Sequence, residues 1–367
     1  MMIKQRNHQH PSQSPLWMIT QDPLIHAFIN QLQALKHQLE HSPANQLAPI
    51  YFNQQQMADI KQAFSALIVQ GERALHSLSA LLMQALTQTD FSLNSVVLGK
   101  VHQESFYLSQ PVTKDQLLQT TDIDLGTQIL NRILVKENDI MQQPELVANF
   151  VEYLPIALNQ HQIHKMISRF KAEEEIWNKV LDELFEIDQL VKRDKSLVKL
   201  SGYIKDVFGL KIIVSDQAAC AQLHQSLVEL ELTPINLREN EIKPTQHNRQ
   251  LAFLETKNYL LKPKHSGWRA IKSIIRWQQT LFELQIEPLQ IYLMEQAHIG
   301  SLSHGAYRQH RHTIRSQLAE QMPLFKFFQQ LLVWLFSEAD LNPKTRHQRQ
   351  CKQFSSLDGI EVVLLRD

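Results

Sequence analysis

Glycine is scarce in this chain: 9 residues in 367, where average usage of about 7% would give about 26. Few turns or bulges can be built on it, which argues for many helices. Cysteine is almost absent, and Cys220 and Cys351 lie far apart. That excludes a disulfide framework and a thiolate zinc site and points to a reducing compartment. Net charge is absent, with 37 Lys+Arg against 37 Asp+Glu, which excludes a globally basic nucleic-acid binder but leaves room for a local basic patch. Long apolar runs are missing too; LLVWLF (331–336) is far short of the roughly 20 residues a membrane span needs. The start, MMIKQRNHQHPSQSP, has no apolar stretch after its basic residues and does not read as a signal peptide. The expectation is a soluble, cytoplasmic, helix-rich protein without a membrane segment.

At about 150 residues per domain the length suggests roughly two domains. Residues 1–18 are polar and read as a disordered tail. A helical N-terminal region follows over 19–165. Leu24, Ile25, Phe28, Ile29, Leu32, Leu35 and Leu39 form one stripe, and Met57, Ile60, Phe64, Leu67, Leu75, Leu78, Leu82 and Leu86 continue the period. A strand is expected around SFYL (105–108), and helical patterns over 115–136, 144–158 and 161–192. From Gly202 the pattern changes. VFGLKIIV (207–214) is strand-like. A helix over 217–231, a loop over 233–249 and three strands within 251–261, 269–277 and 280–287 come next. A helix from Pro288 to about Leu318 and another over 323–337 lead to GIEVVLL (359–365), expected as an edge strand. The whole reads as α+β, with a mixed-sheet domain over 166–318 and a C-terminal helix and tail over 319–367.

Four stretches could carry chemistry. In TLFELQIE (280–287), Phe282, Leu284 and Ile286 face a core while Glu283, Gln285 and Glu287 share the opposite face, as they would in any half-buried strand with a solvated polar side. In KDVFGLKIIV, Asp206 stands before a strand, Gly209 permits close approach to the backbone, and Lys211 interrupts an apolar run. LLKPKHSGWRAIK (260–272) sets Lys262, Lys264, His265 and Arg269 around a turn beside Trp268, an arrangement that suits an anion next to a stacking platform. VKRDKSLVKLSGYIK (191–205) brings Arg193, Lys195, Lys199 and Lys205 to a helix end, where cations also complement the dipole. The histidines at 298, 304, 310 and 312 show no HExxH spacing, which argues against a metal site there.

Taken in order, KDVFGLKIIV, KPKHSGW and FELQIE resemble the synthetase domain of the RelA/SpoT family, with HGAYR (304–308) similar to a later helical segment of that family. The resemblance covers roughly 190–310. The N-terminal half shows no paired His-Asp and does not look like the family's hydrolase domain. The family transfers pyrophosphate from ATP to a nucleotide 3′-hydroxyl, making (p)ppGpp. The resemblance therefore implies a nucleotidyltransferase-like α+β domain, ATP and a guanine nucleotide as substrates, and Mg²⁺ as cofactor. It implies that Asp206 and Glu283 are catalytic and hold the metal, Glu283 also accepting the proton of the attacking hydroxyl. Arg193, Lys195, Lys199, Lys211, Lys262 and Lys264 would neutralise phosphates, and Trp268 would stack on the acceptor base. Gln285 and His304 are further candidates.

The chain also departs from the family pattern. Gly-Tyr-x-Ser-Leu-His becomes Gly267-Trp268-Arg269-Ala270-Ile271-Lys272, Arg-Thr after the Gln-Ile pair becomes Glu287-Pro288, and an Arg becomes Lys211. A nucleotide- or RNA-sensing pseudo-synthetase and a toxin-like enzyme acting on tRNA stand as alternatives, and a homo-oligomer is allowed.

Overall fold

A computed structural model describes residues 22–41, 48–102, 104–137, 140–170, 177, 180–181, 184–185, 208–263, 267–278, 280–299, 319–338, 350–357 and 360–365. In chain order, α1 (Pro23–His41), β1 (Ile50–Asn53) and α2 (Gln54–Thr87) lead to strands β2 (Phe91–Val101) and β3 (Glu104–Pro111). Helices α3 (Lys114–Gln119) and α4 (Asp122–Leu130) precede β4 (Val135–Glu137), β5 (Ile140–Gln142), β6 (Glu145–Pro155) and β7 (Ile163–Phe170). Then come β8 (Phe208–Val214), α5 (Gln217–Glu229), α6 (Pro234–Glu239), β9 (Ala252–Asn258), β10 (Ile271–Trp277) and β11 (Thr280–Pro288). Helices α7 (Leu289–Ile299) and α8 (Pro323–Glu338) and strands β12 (Gln350–Phe354) and β13 (Ile360–Leu365) complete the order.

The backbone divides into two compact units, and the division falls inside α2 between Ile68 and Val69. The first unit, within Val69–Ala172 and Lys205–Gly300, is built on an eight-stranded sheet of order β3-β2-β6-β7-β8-β11-β10-β9. Every neighbouring pair is antiparallel except β8 and β11, which run parallel. A parallel pair cannot be closed by a tight turn, and the chain between these two strands holds α5, α6, β9 and β10. Local chemistry sets the helix starts. Asp216 caps α5 by accepting from the Ala219 amide at 2.9 Å, and Thr233 caps α6 with Pro234 in its first turn. Gly71 in α2 has a steric reason: a Cβ there would lie 1.9 Å from the Phe208 ring, so α2 seats directly on the start of β8.

The second unit holds α1, the first part of α2, α8 and a three-stranded sheet of order β1-β13-β12. Its core is aromatic. Trp177 stacks on Phe336 with ring centroids 4.5 Å apart and lies 4.8 Å from Phe64, with Phe28 edge-on at 6.0 Å. Strand β13 is the centre of this small sheet rather than an edge.

The structure corrects the sequence reading most in the N-terminal half. The helical pattern expected over 144–158 is a strand, β6, and the one expected over 161–192 begins as a strand, β7, with residues 177, 180, 181 and 184 helical as expected; β2 and β3 extend the same sheet. The half expected to be helical therefore contributes half of an eight-stranded sheet. Within the loop expected over 233–249, Pro234–Glu239 is helical. Residues 300–318 of the long helix expected from Pro288 lie outside the described residues, as does the tail expected over 1–18.

Candidate functional site

Strand β11 lies between β8 and β10 and alternates as its sequence predicts. Phe282, Leu284 and Ile286 are buried on one face. The other face is not solvated, however: Glu283 is 3% exposed and Glu287 0%. Carboxylates at such depth need partners, because desolvation otherwise drives them to take up protons. The neighbouring strands supply them. Register places Glu283 opposite Gly209 and Gln285 opposite Lys211 on β8, with Lys272 of β10 opposite Gln285 on the other side. Glu283 is paired with the Lys272 ammonium through Oε2, and the Gln285 amide donates to its Oε1.

Glu287 is bound as closely. Its Oε2 lies 2.7 Å from Lys211 Nζ, and its Oε1 accepts the Trp268 indole N–H at 2.8 Å. Lys211 also reaches Glu295 of α7 at 2.8 Å. Burial opposes the charge on Lys211, but Glu287 and Glu295 outweigh it and hold the ammonium above its ordinary range. Burial lifts the Glu287 carboxyl above its ordinary range, Lys211 pulling against it. Beside them Tyr292 lies under Lys165, 5.2 Å from the ammonium to the ring centroid, while Lys165 pairs with Glu152 at 2.8 Å. Cys220 offers no nucleophile, since burial pushes its thiol up to about 12.

Of the residues singled out from the sequence, Glu283, Gln285, Lys211 and Trp268 share this one region. Lys262 is exposed in the turn after β9. Gly267, at φ +79°, is in the left-handed region, where its lack of a Cβ matters to the backbone just before Trp268. Asp206, Arg193, Lys195, Lys199, Lys264 and His304 lie outside the described residues. Lys272, Glu295, Tyr292, Lys165 and Glu152 escaped the sequence reading as members of this region. Strand alternation would have flagged Lys272, but only tertiary packing brings in α7.

A second polar cluster, also unforeseen, lies elsewhere in the same unit. His76 of α2 donates from Nε2 to Asp122 Oδ1 at 3.0 Å, because a carboxylate can only accept, and in the neutral ring Nδ1 accepts the Tyr153 hydroxyl at 2.9 Å. This His-Asp contact joins residues 46 apart in the chain. Asn149 donates to the Asp122 carbonyl and accepts from Ser95 at 2.9 Å. Glu72, one turn before His76, is 3% exposed, and neither of its oxygens has a hydrogen-bond partner among the described residues. Burial first, and then the nearby Asp122, raise its carboxyl from 4.5 to about 8. A cavity of about 40 Å³ opens beside His76 and Tyr153, room for a few waters and far too small for a nucleotide. Among the described residues no group of three His, Cys, Asp or Glu side chains could hold a metal ion.

Comparison with known proteins gives one kind of match. No protein-family model matches the chain, and no curated protein matches it. The structural neighbours include small alarmone synthetases. Small alarmone synthetase 2 from Bacillus subtilis is 19% identical and matches over 48% of this chain and 79% of its own, with a TM-score of 0.26. Small alarmone synthetase 1 from Bacillus subtilis, bound to its product pppGpp, is 14% identical over 48% and 76%, with a TM-score of 0.24. A GTP pyrophosphokinase family protein from Streptococcus pneumoniae is 14% identical over 49% and 76%, also at 0.24. Similarity at this level fixes neither an activity nor a substrate for this chain. No helix among the described residues is long and apolar enough to cross a membrane.

Proposed function

We propose that this chain is an ATP-dependent pyrophosphokinase that moves pyrophosphate onto the 3′-hydroxyl of a guanine nucleotide, giving a (p)ppGpp-type product. The observation that carries this reading is the register of β11 against β8. It puts Glu283 opposite Gly209, and Gln285 opposite Lys211, on one sheet face, although the two strands lie far apart in the chain. These are the residues on which the resemblance to RelA/SpoT synthetase domains rests.

In this reading Glu283 takes the proton of the attacking hydroxyl. The hydroxyl oxygen forms a bond to the β-phosphorus of ATP, the bond from that phosphorus to the α-phosphate oxygen breaks, and AMP leaves. The proton passes from Glu283 to solvent afterwards. A well-placed base is worth roughly 10²–10⁴-fold. Asp206 and Glu283 would hold Mg²⁺, which takes oxygen ligands and needs only one or two carboxylates besides the nucleotide phosphates. When bound, the ion would neutralise charge on those phosphates. Lys272 has to leave Glu283 for either role, and its flexible stem allows that movement. Arg193, Lys195, Lys199, Lys262 and Lys264 would complete the cationic lining, with Trp268 as the stacking surface.

One observation favours a second reading, a catalytically silent nucleotide sensor: Lys211 and Lys272 are each already paired with buried carboxylates. Incubation with labelled ATP and GDP, GTP or tRNA as acceptor separates the two. The enzyme reading expects label on an acceptor, and at least about 100-fold less with Glu283→Gln. Tight nucleotide binding in calorimetry, with no label transfer to any acceptor, would establish the sensor instead.

A further inference from the structure

Three positions at which the chain departs from the synthetase pattern, Lys211, Trp268 and Glu287, are joined in space. The carboxylate of Glu287 is the joint. One oxygen holds the indole N–H of Trp268 at 2.8 Å and the other holds Lys211 at 2.7 Å. The indole ring is also supported by Tyr259, with centroids 5.6 Å apart. Lys211 is bound a second time by Glu295. One cation therefore faces two carboxylates, and as ions the three sum to a single negative charge.

That arithmetic decides what the group can receive. A phosphate approaching Lys211 must displace either Glu295, whose side chain is 39% exposed, or Glu287, which has no exposure to water; the second is costly, as removing one partner from a buried pair is. The phosphate also meets the repulsion of the carboxylates that remain. An uncharged aromatic ring meets neither obstacle. Trp268 is partly exposed and held by its N–H, so its orientation is set before anything binds. Lys211 is held above its ordinary range, so it stays charged and bound to Glu287 and Glu295 across the neutral range.

We propose that Glu287 is a positioning and specificity residue: it fixes the Trp268 indole and cancels the charge of Lys211, so that the acceptor is recognised here by an uncharged nucleoside ring and not by its phosphates. This rests on the nucleotide-transfer reading, which supplies the ring at Trp268; the contacts of Glu287 supply the preference for an uncharged one.

The test is a fluorescence titration of the full chain with guanosine, GMP, GDP and GTP. Trp268→Phe serves as the subtraction control, because the chain has 5 tryptophans. In the wild type, guanosine is expected to bind at least about threefold more tightly than GTP. Glu287→Gln keeps an acceptor for the indole N–H and removes the charge. It should leave guanosine within about twofold and tighten GTP about tenfold, which equals about 1.4 kcal/mol. Glu287→Ala, which loses both contacts, should weaken guanosine as well and blue- or red-shift the Trp268 emission. Equal or tighter GTP binding in the wild type overturns the proposal, and that measurement needs no variant to fold. The expected order of binding with no product from any acceptor would sink the enzyme reading and leave this one standing. Product formation with GTP preferred, unchanged in Glu287→Gln, would do the reverse.

Discussion

The two polar clusters of the eight-stranded unit solve the problem of buried polarity differently. Around His76 the groups are joined mainly by hydrogen bonds between neutral or singly charged partners, and Glu72 escapes an unpaired charge by keeping its proton. Around Glu287 and Glu283 the carboxylates are matched by lysines whose side chains are partly exposed, 24% for Lys211 and 18% for Lys272. The first arrangement is sealed into the packing of α2, α4 and β6. The second can exchange a partner at Glu283, because the Lys272 stem can swing and a buried histidine ring cannot, while Lys211 stays held between Glu287 and Glu295. That contrast is why the β8–β11–β10 face is the functional candidate and the His76 cluster a structural one.

Three measurements break or sharpen this contrast. The largest effect is expected from His76→Leu, which leaves Asp122 and Tyr153 buried without their ring partner. Leaving those two buried groups unsatisfied costs about 1–3 kcal/mol each, read as a lower midpoint in urea unfolding. Lys211→Met should cost less, about 1–3 kcal/mol, since Glu287 keeps its bond from Trp268 and can take up a proton. Equal losses from the two variants would erase the distinction drawn here.

The smallest effect belongs to Glu72→Gln at pH 6, where the native carboxyl already carries its proton and the amide is its near-isostere. Its signature is in the pH dependence. The folded chain holds the Glu72 proton up to about 8, whereas the unfolded chain releases it near 4.5. Between those values the unfolded state binds fewer protons, so this group's contribution to stability falls as pH rises and levels off above about 8. Thermal unfolding from pH 5 to 9 should show that decline in the wild type and a flatter profile in Glu72→Gln. An unchanged slope would mean that Glu72 is ionised in the fold.

The same polar residues explain what was and was not legible beforehand. β8, β10 and β11 announce themselves through β-branched residues and clean alternation, and α1 and α2 through apolar stripes of helical period. β6 hides. Its inward face is Asn149, Val151 and Tyr153, and the buried Asn149, held by Ser95 and Asp122, interrupts the period of two. Leu146, Val147, Phe150, Val151 and Leu154 then imitate a helical stripe. β7 hides for a similar reason, with Ser168 turned inward at no exposure. A sealed polar network in the core defeats binary patterning, because the pattern assumes that polar residues face water.

The amino-acid order by itself determined the α+β character, the two-sided strand carrying Glu283, Gln285 and Glu287, and the set of residues that resemble a synthetase. Alternation along one strand is a local property, fixed by backbone geometry. Tertiary structure alone decided that Glu287 faces Lys211 and Trp268, that Lys272 meets Glu283, and that His76 finds Asp122. Those meetings depend on strand order and on the seating of α2 upon Phe208, through which contacts between distant segments form together or not at all.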